Sequence, residues 1–260
     1  MSHWDRMYGG ASQQEPESRR FGEIAARVKR EISGFDERVL LLGVTPMLST
    51  IGSDLTAVDR NHRIVQTRWI GNAPNRRAMI ADWRQLPFGV ASFSACIGDG
   101  SISAIRFEDV ELVYKNLSRV LIRGGRFVCR VYITSDDSEA IENVANAAWR
   151  GECRSFLYFK LRLAMAIAGQ QLNPSVPVRS IYDAFAASFP DRDRLADATG
   201  WDRSEIDKID LYKPSSEVYS FPTRRQCLSI IPPAFLNARF VATGTYEFAA
   251  QCPLLVMERE

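Results

Sequence analysis

VLLLGVTPMLSTIGSDLTAVD, the segment from Val39 to Asp59, decides how the rest of the chain is read. Val39–Leu42 is an unbroken apolar run, the pattern of a strand buried on both faces. Gly43 interrupts it, and Val44-Thr45-Pro46 makes a tight turn. Pro46 suits the first turn of a short helix over Met47 to about Gly52, where its missing N–H costs nothing. Leu55–Val58 reads as a second buried strand, ending on Asp59. Strand, glycine turn, helix, strand and terminal acid form the nucleotide-binding half of a doubly wound sheet. In such sheets a ligand lies beyond the carboxyl ends of the strands, and the acid takes ribose hydroxyls.

Further strand ends follow in order. Met79-Ile80-Ala81-Asp82-Trp83 is a short apolar strand closing on a second acid, and Leu86-Pro87 argues against a helix directly after it. Phe93-Ser94-Ala95-Cys96-Ile97-Gly98-Asp99-Gly100 is another, running into an acid between two glycines. Leu121 to Arg130 contains Gly124-Gly125, a turn opening a fifth strand placed at Val128–Ile133. In order and spacing, from Gly34 to Ile133, these segments resemble the motifs of class I S-adenosylmethionine-dependent methyltransferases. Nicotinamide dehydrogenases share the first half of the pattern. They are ranked last, because the full glycine fingerprint is missing and Asp82-Trp83 would go unexplained. The first motif departs from the methyltransferase pattern, since only Gly43 remains of its several glycines. Leu-Gly-Val-Thr-Pro is similar to the turn of an uncharacterised group of methyltransferase-like proteins.

The resemblance implies an α/β fold: a doubly wound, mostly parallel seven-stranded sheet of the Rossmann-like methyltransferase kind, with a helical cap insertion. It also implies a site. Gly43 and Thr45 meet the methionine end of the cofactor, Thr45 through its hydroxyl. Asp59 takes the ribose and Asp82 the adenine amino group, with Trp83 on the adenine face and Arg60 at its edge. Gly98 and Asp99 lie near the reacting methyl, Asp99 holding the substrate nucleophile or the methionine amine. Trp4-Asp5-Arg6-Met7-Tyr8 is similar to methyltransferase N-terminal lids, with Tyr8 closing over the cofactor. Asp99 and Tyr8 are the catalytic candidates. Plainer readings stand beside these: Thr45 and Asp99 as helix caps, Trp83 as core, Arg60 as surface, and the N-terminal aromatics as a frayed end.

The 260 residues suit one large α/β domain with an elaboration, and an apolar fraction of 46% is enough for a sizeable core. The divisions expected are a lid or tail over 1–20, a cofactor-binding core over 21–150, a helical substrate cap over 151–219, and a last helix with closing antiparallel strands over 220–260. A net charge of +2 with scattered arginine pairs gives no nucleic-acid footprint. Five cysteines without metal-type spacing and only two histidines speak against a metal centre. No secretory segment or membrane-length apolar run opens the chain, so a reducing cytoplasm is expected. The expected reaction is methyl transfer from S-adenosylmethionine, leaving S-adenosylhomocysteine, to a small or medium organic acceptor. The expected partner is that small molecule, with a homodimer allowed. The alternative is a non-catalytic scaffold or subunit on the methyltransferase fold, for which the depleted glycine turn speaks.

Overall fold

The computed structural model describes residues 16–260, and Trp4 and Tyr8 of the expected lid lie outside the described residues. Strand β1 (Arg38–Leu42) sits mid-sheet, with Val39, Leu40, Leu41 and Leu42 all fully buried. It pairs in parallel with β2 (Asp54–Asp59) on one side and β4 (Phe93–Asp99) on the other. Beyond β2 lies β3 (Arg76–Ile80), and beyond β4 lies β5 (Leu121–Arg130), both also parallel. The antiparallel strands β8 (Phe235–Val241) and β9 (Leu254–Arg259) complete a seven-stranded sheet of order β3-β2-β1-β4-β5-β9-β8.

Side chains alternate across this sheet, so each face has its own core. Val39, Leu41, Ala57, Ile97 and Val128 face helix α1 (Pro16–Glu31), which packs through Ile24, Val28 and Ile32. Leu40, Leu42, Cys96, Phe127 and Cys129 face helix α3 (Phe107–Val120), which presents Val110, Val113, Tyr114 and Leu117. The spacing of these apolar positions is that of one helical face. Helices on both faces of a mostly parallel sheet define the doubly wound Rossmann-like methyltransferase architecture.

Several boundaries differ from the sequence reading. The helix expected over Met47 to about Gly52 is a single 3₁₀ turn, Pro46–Leu48. Gly124-Gly125 lies inside β5, where the pairing with β4 shifts register and Gly124 takes φ +72°, so the strand starts at Leu121 and ends at Arg130. Beyond it, Val131 and Ile133 donate their N–H groups to Pro253 and Gln251, keeping the chain against the β9 edge. Helix α2 (His62–Arg68) is capped by Asn61, whose side chain accepts from the Ile64 N–H. The first of the two closing strands begins at Phe235, five residues before the Phe240 expected.

The segment after β5 builds a separate core. Helices α4 (Ile141–Trp149), α5 (Phe156–Gly169), α6 (Val178–Ser188), α7 (Arg192–Thr199) and α8 (Arg203–Asp207) enclose Phe156, Phe159, Phe185, Phe189 and Trp201. Strands β6 (Ser175–Pro177) and β7 (Val218–Ser220) form a small antiparallel sheet, and helix α9 (Arg224–Ser229) follows with a Thr223–Gln226 capping box. Among the described residues no helix is long and apolar enough to cross a membrane.

One buried charge lies in this second core. Lys160 on α5 is 7% exposed and its ammonium lies 5.2 Å from the ring centroids of both Phe156 and Tyr212. Burial pulls its pKa down to about 8, with the Glu205 carboxylate opposing and Lys208 assisting. Between that value and the ordinary lysine range the unfolded chain holds more protons, so stability rises with pH across this window. Lys160→Met is therefore expected to stabilise the protein at pH 7 by on the order of 2 kcal/mol and to lose that rise. Urea midpoints measured from pH 7 to pH 10.5 check it, and parallel curves for the two proteins would refute it.

Candidate cofactor and acceptor site

Parallel strands deliver their carboxyl ends to one edge of the sheet, and there the chain's acids collect. Gly43 leaves β1 with φ +92°, a conformation that only glycine adopts without strain, and its N–H donates to the Val58 carbonyl at 2.8 Å. Among the described residues, a Cβ added at Gly43 would have only Asp59 Oδ2 within 4 Å, at 3.9 Å. The turn therefore leaves an open cradle facing the Asp59 carboxylate. Thr45 precedes the 3₁₀ turn in extended geometry and makes no side-chain cap. The capping alternative does not describe it, and its hydroxyl is left for other use.

Asp59 closes β2. Its Oδ1 accepts from the Asn61 N–H at 2.8 Å, and Oδ2 accepts from no described residue. Burial raises its pKa, opposed by the Asn61 hydrogen bond and by Arg60. A desolvated carboxylate with unspent lone pairs is suited to accept from vicinal hydroxyls. Arg60 pairs with Glu217 at 2.9 Å, joining the end of β2 to the segment entering β7, while its charge still acts on Asp59 and Asp82.

Asp82 and Trp83 lie past β3. The Asp82 side chain caps a 3₁₀ turn, Trp83–Gln85, which forms where the sequence argued against a helix. Its oxygens accept from the Arg84 guanidinium, at 2.6 Å from Nη2, and from the Arg84 N–H at 2.9 Å. That side-chain hydrogen bond chiefly holds its pKa below the usual carboxylate range. Arg84 also reaches Asp109 on α3 at 3.1 Å. Trp83 donates its indole N–H to the Val58 carbonyl at 2.7 Å and packs on the core under α3.

Asp99 closes β4 opposite Arg130 at the end of β5, and the Arg130 Nε–H donates to Asp99 Oδ1. Both side chains are nearly buried, at 9% and 7% exposed. Gly98 leaves no room for a side chain, because a Cβ would lie 2.7 Å from Ser101 Oγ. Ser101 in turn donates to the Leu42 carbonyl at 2.7 Å, tying this loop to the end of β1. Gly100 turns with φ +69° under the Tyr132 hydroxyl, which a Cβ would meet at 3.0 Å. Gly43, Thr45, Asp59, Gly98 and Asp99 thus share the strand-end edge, with Asp82 and Trp83 flanking it. Arg130 and Tyr132 were not singled out as site residues in the sequence. The available signal was an arginine placed directly after the apolar run Phe127-Val128-Cys129.

A cavity of about 70 Å³, lined by Ser49, Thr50, Gly52, Leu55, Asn75 and Arg76, opens at the opposite ends of the strands. It touches none of the acids, so charge and donor chemistry mark the site rather than cavity volume.

Residues 43–129, about a third of the chain, match the family model described as Methyltransferase domain, and this span runs from the glycine turn to the penultimate residue of β5. The structure of PH0226 from Pyrococcus horikoshii OT3 aligns over 100% of both chains with TM-score 0.55 and 14% identity. The structure titled magnesium protoporphyrin IX methyltransferase from Synechocystis PCC 6803, with S-adenosylhomocysteine bound, aligns over 99% of this chain and 93% of its own, with TM-score 0.51 and 13% identity. A Rhodobacter sphaeroides structure titled as a putative Zn-dependent alcohol dehydrogenase aligns over 93% and 98%, with TM-score 0.54 and 11% identity. Likeness at this identity shows the fold and leaves the chemistry to the family match and the site. No curated protein matches the sequence. Residues 43–129 thus carry the methyltransferase-domain match, and the chain as a whole has the fold of class I methyltransferases. The group that this match implies is S-adenosylmethionine, and the open Gly43 turn facing an unspent Asp59 oxygen fits it.

The desolvated Asp59 carries a stability cost that can be read without ligand. Its raised pKa means that the folded state holds the proton more tightly, so stability falls as pH rises through that range. Asp59→Asn keeps the acceptor for the Asn61 N–H and removes the charge. The variant without ligand is expected to melt above the wild type at pH 7, with the gap closing below the ordinary aspartate value. A variant that melts lower at pH 7 would show that Asp59 has a structural partner instead.

Proposed function

We propose that the enzyme methylates a small or medium organic acceptor, with the donor held across the carboxyl ends of β1, β2 and β4. The observation carrying this reading is the Asp59 carboxylate, half-buried, partly unsatisfied among the described residues and facing the Gly43 turn. Bound there, S-adenosylmethionine supplies a sulfonium methyl as the electrophile. The chain's part is to bind, align and exclude water. Asp59 accepts the ribose hydroxyls, the Gly43 backbone and Thr45 hydroxyl receive the methionine end, and Asp82, with Trp83 and Arg60, borders the adenine. Asp99 faces the methionine amine or the acceptor nucleophile, with Gly98 giving the close backbone approach. Tyr8 is assigned to the lid.

A thiol or free amine acceptor needs no base from the protein, whereas an oxygen nucleophile would draw on Asp99 or a tyrosine. The segment over 151–219 is assigned as the substrate cap, supported by its place beside the strand ends: Glu217 pairs with Arg60, Ser175 Oγ accepts from the Phe107 N–H at 2.9 Å, and Ser220 Oγ donates to the Ile102 carbonyl at 3.4 Å. Buried cysteines that form no disulfide, Cys96, Cys129, Cys153 and Cys227, support a reducing cytoplasm. A homodimer is left to a sizing measurement.

Calorimetric titration with S-adenosylhomocysteine tests the donor site. The wild type is expected to bind in the micromolar range, roughly −8 kcal/mol, and Asp59→Ala to lose at least tenfold, about 1.4 kcal/mol. Folded wild type that takes up no ligand would end this reading of the site.

A further inference from the structure

Arg130 holds more hydrogen-bonding capacity than the fold uses. A guanidinium has five N–H donors, and burying a cation with donors unspent is costly. Here the residue is only 5% exposed. Its Nε–H serves Asp99, and Nη2 lies 3.4 Å from the Tyr132 hydroxyl, at the outer limit of a hydrogen bond. Nη1 donates to no described residue. The contact to Asp99 is through Nε alone, not the two-pronged arrangement that a carboxylate usually makes with arginine. The unspent side of the fork is what a second planar anion would take.

Its neighbours say from which side that anion comes. Neighbouring strands lie about 4.8 Å apart, so the end of β5 is roughly 10 Å from the end of β1 and roughly 14 Å from that of β2. The guanidinium carbon lies 5.5 Å from the centroid of the Tyr132 ring, and Tyr132 stacks on Phe221, just past β7, at 6.4 Å. Tyr246, in the β8–β9 connection, also acts on the Arg130 charge. These groups belong to the β5–β9 side and the cap, away from Gly43 and Asp59. The Asp99–Arg130 pair is neutral as a unit, which suits one added negative charge better than two. A carboxylate fits this balance and a phosphate dianion does not.

We propose that Arg130 is the anion-recognising residue of the acceptor pocket, and that the methyl acceptor carries a carboxylate. The inference rests on the donor reading above. Arg130 determines which acceptor is held and how its nucleophile is aimed, while Asp99 stays on the donor side of the same pair.

The test is calorimetry with three probes: S-adenosylhomocysteine, its decarboxylated analogue S-adenosyl-3-thiopropylamine, and benzoate titrated with and without S-adenosylhomocysteine. The proteins are wild type, Arg130→Gln, and the double variant Asp99→Asn with Arg130→Gln, which leaves no buried carboxylate alone if the single variant fails to fold. Benzoate is expected to bind wild type saturably and to lose at least tenfold in both variants. The affinity ratio of the two adenosyl ligands should stay unchanged throughout. Should benzoate bind nowhere while that ratio collapses at least tenfold in the variants, the anion is the donor's own carboxylate and the acceptor assignment falls. Benzoate that binds all three proteins equally, or none with the ratio unchanged, overturns the subsite altogether. Folded wild type that ignores both adenosyl ligands yet takes benzoate through Arg130 refutes the donor site and with it the acceptor assignment, leaving Arg130 a bare anion site.

Discussion

Strand β1 is covered from both sides and flanked at both edges, so its four apolar residues have no route to water. Such a strand can be satisfied only by parallel neighbours and a helix layer on each face, which α1 and α3 provide. The chain can then leave β1 only at its ends. At the carboxyl end it turns immediately, through a glycine with positive φ that is pinned to Val58 of the next strand. Because the neighbouring strands run the same way, Asp59, Asp99 and Arg130 reach the same edge although they are far apart in sequence. The site is a by-product of how β1 must be buried.

The three acids near that edge meet different electrostatic fates, and the differences assign their work. Asp82 is neutralised by Arg84 and spends its oxygens on its own turn. Asp99 is neutralised by Arg130. Among the described residues Asp59 has only a backbone N–H and the half-exposed Arg60, which also pairs with Glu217. Its carboxylate is desolvated without full compensation, which costs stability in the free protein. Groups of this kind concentrate where a ligand completes them. The depleted glycine turn therefore weighs less against donor binding than its sequence suggests, since the acid opposite it is poised for a partner.

The sequence was most legible where burial is complete. β1, β2 and β4 lie close to their expected positions because continuous apolar runs bounded by glycine or acid admit few other readings. Legibility fell where packing or pairing overrides pattern. Gly124-Gly125 looked like a turn, but a register shift against β4 absorbs it inside β5. β8 is a largely exposed edge strand, so Phe235 to Ala238 showed no buried run. β6 and β7 have three residues each, too few for any periodicity. The acids of the site could be read from their places at strand ends. Arg130 could not, because an arginine after a strand usually marks a solvated end, and only the topology that sets it against Asp99 shows it to be buried.

The segment beyond β5 supplies its own stability and borrows little from the sheet. Phe156 stacks on Phe159, and these rings meet Phe185, Phe189 and Trp201 edge-on or tilted, in a cluster that needs no residue of the central strands. Its ties to the strand-end edge are of two kinds: the half-exposed pair of Arg60 with Glu217, and buried contacts in which Ser220 meets Ile102 and Phe221 stacks on Tyr132. Exposed ion pairs contribute about 0–1 kcal/mol each, so the buried contacts carry more of this junction than the Arg60–Glu217 pair does. The sheet edge that presents the charged groups and the helical segment beyond β5 therefore rest on different cores, and a change in one core need not disturb the other.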